Sequence, residues 1–183
     1  MELFRSLSWV DLAIILVLAI GVFAGFTQGM IVYVLNSLAV VVAFIVAAQL
    51  KGPLLDLLSM WTAFSAEGRE LIVFAILFIG LTVTAWAVIF ATYRRTRMPV
   101  VKLLDEIGGG LLGLLYVALF ICLQLIMLES YFQAGGEKGG WLAGYHDGLN
   151  GSLIIGFFRD SIIPVVGFVM RPFVPDEIAT LLS

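Results

Sequence analysis

Residues 9–50 read WVDLAIILVLAIGVFAGFTQGMIVYVLNSLAVVVAFIVAAQL, and from Leu12 to Leu50 no Lys, Arg, Asp or Glu interrupts them. The stretch is too long for one membrane crossing and is broken near its middle by Gly25-Phe26-Thr27-Gln28-Gly29. It predicts two helices joined by a tight turn. At 1.5 Å per residue, Trp9 to Phe26 rises about 27 Å and Met30 to Leu50 about 31 Å, close to the ~30 Å hydrocarbon core of a bilayer. Two further uncharged runs, Leu71 to Tyr93 and Ile107 to Leu128, give about 34 and 33 Å. Lipid offers nothing to free backbone N–H and C=O groups, so apolar runs of this length are helices. The fold class expected is all-α integral membrane, with four transmembrane helices.

Composition agrees. Of 183 residues 62% are hydrophobic before 19 glycines are counted, and 13% are charged, about half the share of a soluble domain. A net charge of -3 without a basic, aromatic-laced stripe gives no suggestion of a nucleic-acid partner, and none is expected. The single cysteine, Cys122, excludes an intrachain disulfide. A cleaved signal peptide is disfavoured, because Glu2, Arg5 and Asp11 make the leading segment negative and the apolar run continues past the small residues at Val22-Phe23-Ala24.

Between the second and third spans, Lys51-Gly52-Pro53 is expected to stop a helix. Leu54, Leu55, Leu57, Leu58, Trp61 and Phe64 then follow at near-helical spacing as a short interfacial helix. After Leu128 the composition shifts. Gly135 to Gly140 reads as a flexible linker, and Gly144, Gly148 and Gly151 extend the irregular stretch. From Ser152 to Phe173 apolar residues return, interrupted by Arg159, Asp160, Pro164 and Arg171. An Arg-Asp pair at mid-bilayer is expensive, which favours an amphipathic surface or re-entrant segment over a fifth span. The division is then a four-helix membrane domain over 1–130 and a glycine-rich linker with a membrane-associated segment over 131–183.

Basic residues near the spans number four on each side: Arg5, Lys51, Arg69 and Lys138 against Arg94, Arg95, Arg97 and Lys102. Density decides between them, since Arg94-Arg95-Thr96-Arg97 abuts the third span and short basic loops stay cytoplasmic. Both termini are therefore expected outside.

Few residues carry chemistry. Asp11 is an ionisable group inside a span, a candidate for ion or proton handling. It also follows Ser8 by three residues, the spacing of a capping box at a helix start. On the capping reading, Asp11→Asn should lose only a charge–dipole contribution of about 0.3–1 kcal/mol. Asn36, Ser37, Thr82, Thr84 and Gln124 are the other polar residues deep in the spans, explicable as interhelical hydrogen bonders. Asp11, Asn36 and Gln124 are the candidates for a polar intramembrane path. Gly21, Gly25 and Gly29 repeat every fourth residue, as do Gly109 and Gly113, and predict close packing of the first and fourth helices. His146-Asp147 lacks a second histidine, a cysteine or a paired carboxylate, so it reads as a solvated loop histidine. No catalytic, cofactor or metal motif emerges.

Two segments resemble a known family. Val10-Asp11-Leu12-Ala13-Ile14-Ile15, running on to Gly25-Phe26-Thr27-Gln28-Gly29, is similar to the opening of the colicin V production (CvpA) family of bacterial inner-membrane proteins. Leu103-Leu104-Asp105-Glu106-Ile107-Gly108-Gly109-Gly110-Leu111-Leu112-Gly113 resembles the start of that family's fourth helix. The sequence departs from the pattern at Gln28 and Tyr116, where basic residues are usual. The resemblance implies a multi-pass protein of the bacterial cytoplasmic (inner) membrane, without catalytic activity or cofactor, tied to toxin production or export and envelope maintenance. Its partners would be the lipid bilayer and a second copy or another membrane protein. The alternative is a small homo-oligomeric transporter or channel subunit.

Overall fold

The computed structural model describes residues 8–57, 66–93, 102–133 and 141–174. Among them there is no strand. Four long helices come first: α1 (Trp9–Gln28), α2 (Met30–Leu57), α3 (Ala66–Tyr93) and α4 (Lys102–Gln133). Shorter ones follow: α5 (Trp141–Asn150), α6 (Leu153–Phe157), a π-helical turn (Phe158–Ile162), α7 (Ile163–Met170) and a 3-10 turn (Arg171–Phe173). α1 packs mainly on α4, α4 on α2, and α2 on α3. The core where α2, α3 and α4 meet is aromatic. Phe44 meets Phe78 edge-on with centroids 5.5 Å apart, and Phe78 stacks on Phe120 at 5.6 Å. Val40, Ala47, Cys122, Leu123 and Ile126 close the core around them. The outward faces of the same helices carry exposed Leu16, Ile20, Phe23, Leu38, Ile76 and Leu111, as expected where the solvent is lipid.

Three elements differ from the sequence reading. α2 runs through Gly52-Pro53 to Leu57. A proline removes one backbone bond and crowds the carbonyl four residues earlier, but here it falls near the helix end. Lys51 beside it is tied to Glu70 of α3 and lies 5.9 Å from the Phe74 ring. The expected separate interfacial helix is therefore the last turn of α2 as far as Leu57, and residues 58–65 lie outside the described residues. α5 occupies a stretch read as irregular. Its Gly148 faces Trp9 and Val10, where an added Cβ would come within 3.2 Å of Val10. That glycine serves close approach rather than disorder. The expected linker at 135–140 lies outside the described residues, and His146 falls on α5 rather than in a loop.

Residues Leu153–Phe173 are, like the four long helices, long and apolar enough to cross a membrane. Both ends of this segment are nevertheless fastened to the same end of the bundle. Ile154 N donates to Asp11 at 3.0 Å, and Gln49 Nε2 donates to the Phe173 carbonyl at 3.2 Å. Counted from Gly29, Asp11 lies 18 residues back along α1 and Gln49 lies 20 residues on along α2, about 27 and 30 Å on nearly antiparallel paths. The backbone stays helical between them, with right-handed angles at Phe157, Phe158, Ile162, Ile163 and Met170. A continuous helix with both ends at one level lies across the bundle. The π turn precedes Pro164, whose missing N–H a regular helix could not accommodate as easily. Ile155, Phe158, Ile163, Val166 and Met170 face the bundle, while Phe157, Val165, Phe168 and Phe173 are exposed, so the segment carries apolar side chains on both faces. Arg159 is paired at this end with Glu129 of α4 at 2.8 Å and Asn150 at 2.8 Å.

Candidate functional site

The polar residues that sequence reading singled out fall into three places. At one end of the bundle, Asp11 is fully buried and its carboxylate joins two helix starts. Oδ2 accepts from Ser8 N at 2.8 Å and Ser8 Oγ at 3.0 Å, while Ser8 Oγ accepts from Asp11 N at 3.2 Å, a reciprocal capping box. Oδ1 accepts from Ser152 Oγ at 2.6 Å and Ile154 N at 3.0 Å. Ser152 is itself the N-cap of α6, its Oγ accepting from Ile155 N at 3.1 Å. One carboxylate thus receives four donors and sits at two positive helix ends. Bonds to a charged acceptor contribute about 1.5–3 kcal/mol each, and that compensation lets a buried charge persist.

At the opposite end, Asp105 in the first turn of α4 is buried and its Oδ1 accepts from Met30 N, the first amide of α2, at 2.8 Å. The turn between α1 and α2 is Gly29, at φ 90°, a left-handed conformation that glycine adopts without strain. A Cβ there would also stand 2.7 Å from Asp105 Oδ2. In the sequence Asp105 stands out only as part of the Leu103–Gly113 motif. The signal available was its position, one helical step of four before Gly109.

Between these ends runs the seam of α1 and α4. Gly21 lies over Gly113 and Val117, Gly25 over Gly109 and Gly110, and Gly29 over Asp105. The residue numbers of the three pairs Gly21–Gly113, Gly25–Gly109 and Gly29–Asp105 rise in one helix as they fall in the other, so the helices are antiparallel. Backbones are in direct contact: a Cβ on Gly21 would stand 2.9 Å from the Gly113 carbonyl oxygen, and one on Gly109 would stand 2.9 Å from the Gly29 carbonyl carbon. Glycine stripes permit this approach, and packing is what holds helices together in lipid.

Asn36 and Gln124 are not brought to Asp11. Gln124 borders an apolar groove of about 320 Å³ between α1 and α4, together with Trp9, Val17 and Phe120. Asn36 lies in a separate cleft between α2, α3 and α4 with Tyr33, Thr82, Trp86 and Tyr116. Counted from Gly29, Asn36 is about 10 Å deep where Asp11 is about 27 Å away. Nor are the hydroxyls interhelical bonders as a group. Thr84 Oγ1 donates to the Gly80 carbonyl of its own helix at 2.7 Å, the usual recourse of a mid-helix hydroxyl, while Ser37 Oγ and Thr82 Oγ1 are buried without a partner. Among the described residues no three His, Cys, Asp or Glu converge as a metal site would require.

A family model described as Colicin V production protein matches residues 10–163, which takes in Asp11 and Ser152 of the knot, the glycine seam and the start of α7. No curated protein and no solved structure matches the chain.

Proposed function

Since the chain belongs to the colicin V production protein family, we propose that it is a non-catalytic scaffold of the bacterial inner membrane, serving toxin production or export and envelope maintenance. The observation that carries this reading is the use made of the intramembrane polar groups. Asp11 and Asp105 each bond the start of another helix, and the glycines between them bring two backbones into contact. Such groups fix a shape against which partners, or a second copy, can pack. Deleting the gene should reduce toxin release and sensitise the envelope to detergents, and restoring it should reverse both. Unchanged release and resistance in the deletion strain argue against the reading.

The transporter alternative needs a polar path. Asp11, Asn36 and Gln124 lie apart within one copy, so the path would have to be completed between copies. Flux of ions or small metabolites through purified protein in liposomes, absent from empty liposomes, would favour that alternative.

Orientation belongs to the same proposal. The basic connection between α3 and α4, with Arg94, Arg95 and Arg97, is cytoplasmic and both termini are outside, because dense positive charge beside a span resists translocation. Alkaline phosphatase fused after Ser183 should then be active and a fusion within that connection inactive. The reverse pattern refutes the assignment.

A further inference from the structure

The cleft between α2, α3 and α4 is a recess at membrane depth whose lining mixes polar and apolar side chains. It encloses about 270 Å³ and is bordered by Tyr33, Asn36, Thr82, Trp86, Tyr116 and Phe120, with Ile79 and Val83 at its edge. Asn36 stands 7 residues beyond Gly29 and Tyr116 stands 11 beyond Asp105, depths of about 10 and 16 Å. Ile79, Val83 and Trp86 are exposed, and at this depth exposure means contact with acyl chains, so the cleft opens sideways to lipid. Four of its polar side chains are uncharged, two phenols, an amide and a hydroxyl, and no Lys, Arg, Asp, Glu or His lines it. Thr82 is 7% exposed and its Oγ1 has no partner. A polar group held unpaired at such a depth costs about 1–3 kcal/mol, more than a structural hydroxyl usually bears when its own helix offers a carbonyl, as it does to Thr84. The Tyr33 and Tyr116 rings meet edge-on with centroids 5.8 Å apart, and with Trp86 and Phe120 they give the cleft flat, polarisable walls.

We propose that this cleft binds the uncharged ring head group of a membrane-dissolved quinone. The chemistry selects each feature of that ligand. Donor hydroxyls and an amide match carbonyl oxygens, the lack of a lining charge disfavours phosphate and ammonium heads, and aromatic walls suit a flat ring. The size is close to the lower end of small-molecule sites, about 300–1,000 Å³, which fits one substituted ring with its tail left among the lipids. Access is lateral, so the ligand arrives from the bilayer and never crosses water. The inference stands independently of the scaffold reading.

Ubiquinone-1 titrated into the full chain in phosphatidylcholine nanodiscs tests it, through quenching of tryptophan fluorescence. Saturable quenching is expected, and Trp86→Phe should reduce it, because of the four tryptophans Trp86 lines the cleft. Thr82→Val keeps the side-chain shape and Asn36→Leu removes the amide. At least one should weaken binding about tenfold, the consequence of leaving one ligand oxygen unpaired, with a melting temperature like that of the unaltered protein. Quenching that never saturates, or saturable binding that neither variant weakens, overturns the proposal. So does equal competition by decanol, which offers a hydroxyl and a chain without a ring.

Discussion

Gly109→Leu is expected to lower the stability of the helix bundle by about 3 kcal/mol, the upper range for forcing extra carbons into a packed interface. For a chain of this length that is a fall in melting temperature of about 6–12 °C. A side chain at Gly109 meets backbone atoms of Gly25 and Gly29, which cannot rotate away as the tip of a flexible side chain could. α1 and α4 must separate, and their separation forfeits the packing along the whole seam. Gly80→Leu is the matching control, since nothing lies within 4 Å of a Cβ there. It should change stability by no more than about 0.5 kcal/mol. Thermal unfolding of both variants in the same detergent checks the pair, and equal melting temperatures would mean that the seam does not hold the bundle.

Asp11→Asn is expected to cost about 3 kcal/mol and to loosen the helix that lies across the end of the bundle. The sequence alone argues for a much smaller effect, because asparagine keeps a carbonyl oxygen and the size of aspartate. The structure changes the expectation because all four partners of the carboxylate are donors, two on each oxygen. An asparagine can satisfy one pair. Its amide then faces the other pair, where the serine hydroxyl can turn to accept but the backbone N–H cannot, and that buried donor left unmatched costs about 1–3 kcal/mol. Hydrogen exchange should rise across Leu153–Phe173 while Val40–Ala47 in the core stays protected. A variant of ordinary stability and exchange would show that the knot contributes little. One that folds normally but loses ion flux would move the balance toward transport.

Legibility in the sequence follows from the range of each interaction. The long helices are readable because hydrophobicity over some 20 residues is a sum, indifferent to which neighbour each residue meets. The local half of the Asp11 knot is readable too, since Ser8 and Asp11 are three residues apart. Ser152 and Ile154, more than 140 residues away, are not, because no periodicity links a carboxylate in α1 to amides that start another helix. Glycine is the most ambiguous letter here. Gly25 and Gly109 announce contact through their spacing, whereas Gly148 sits in a run that reads as a linker and turns out to be a helix pressed on Trp9. Thr82 and Thr84 are two residues apart and read alike. Only the fold separates the hydroxyl turned back on its own helix from the one left unpaired in the cleft.

The glycine seam resembles a ruler whose marks are all the same. Its contacts repeat every four residues, so sliding α1 along α4 by one interval, about 6 Å, again sets glycine against glycine: Gly25 would face Gly113 and Gly29 would face Gly109. The stripe specifies that the two helices touch, but two alignments each set two glycine pairs face to face. At the end of the scale the bond from Met30 N to Asp105 distinguishes them, since only one alignment can form it, in step with the packing of α2 on α4. Attraction and alignment are thus held by different residues. A chain with its glycines intact but Asp105 replaced by alanine would still zip these helices together, and could do so one notch out of place.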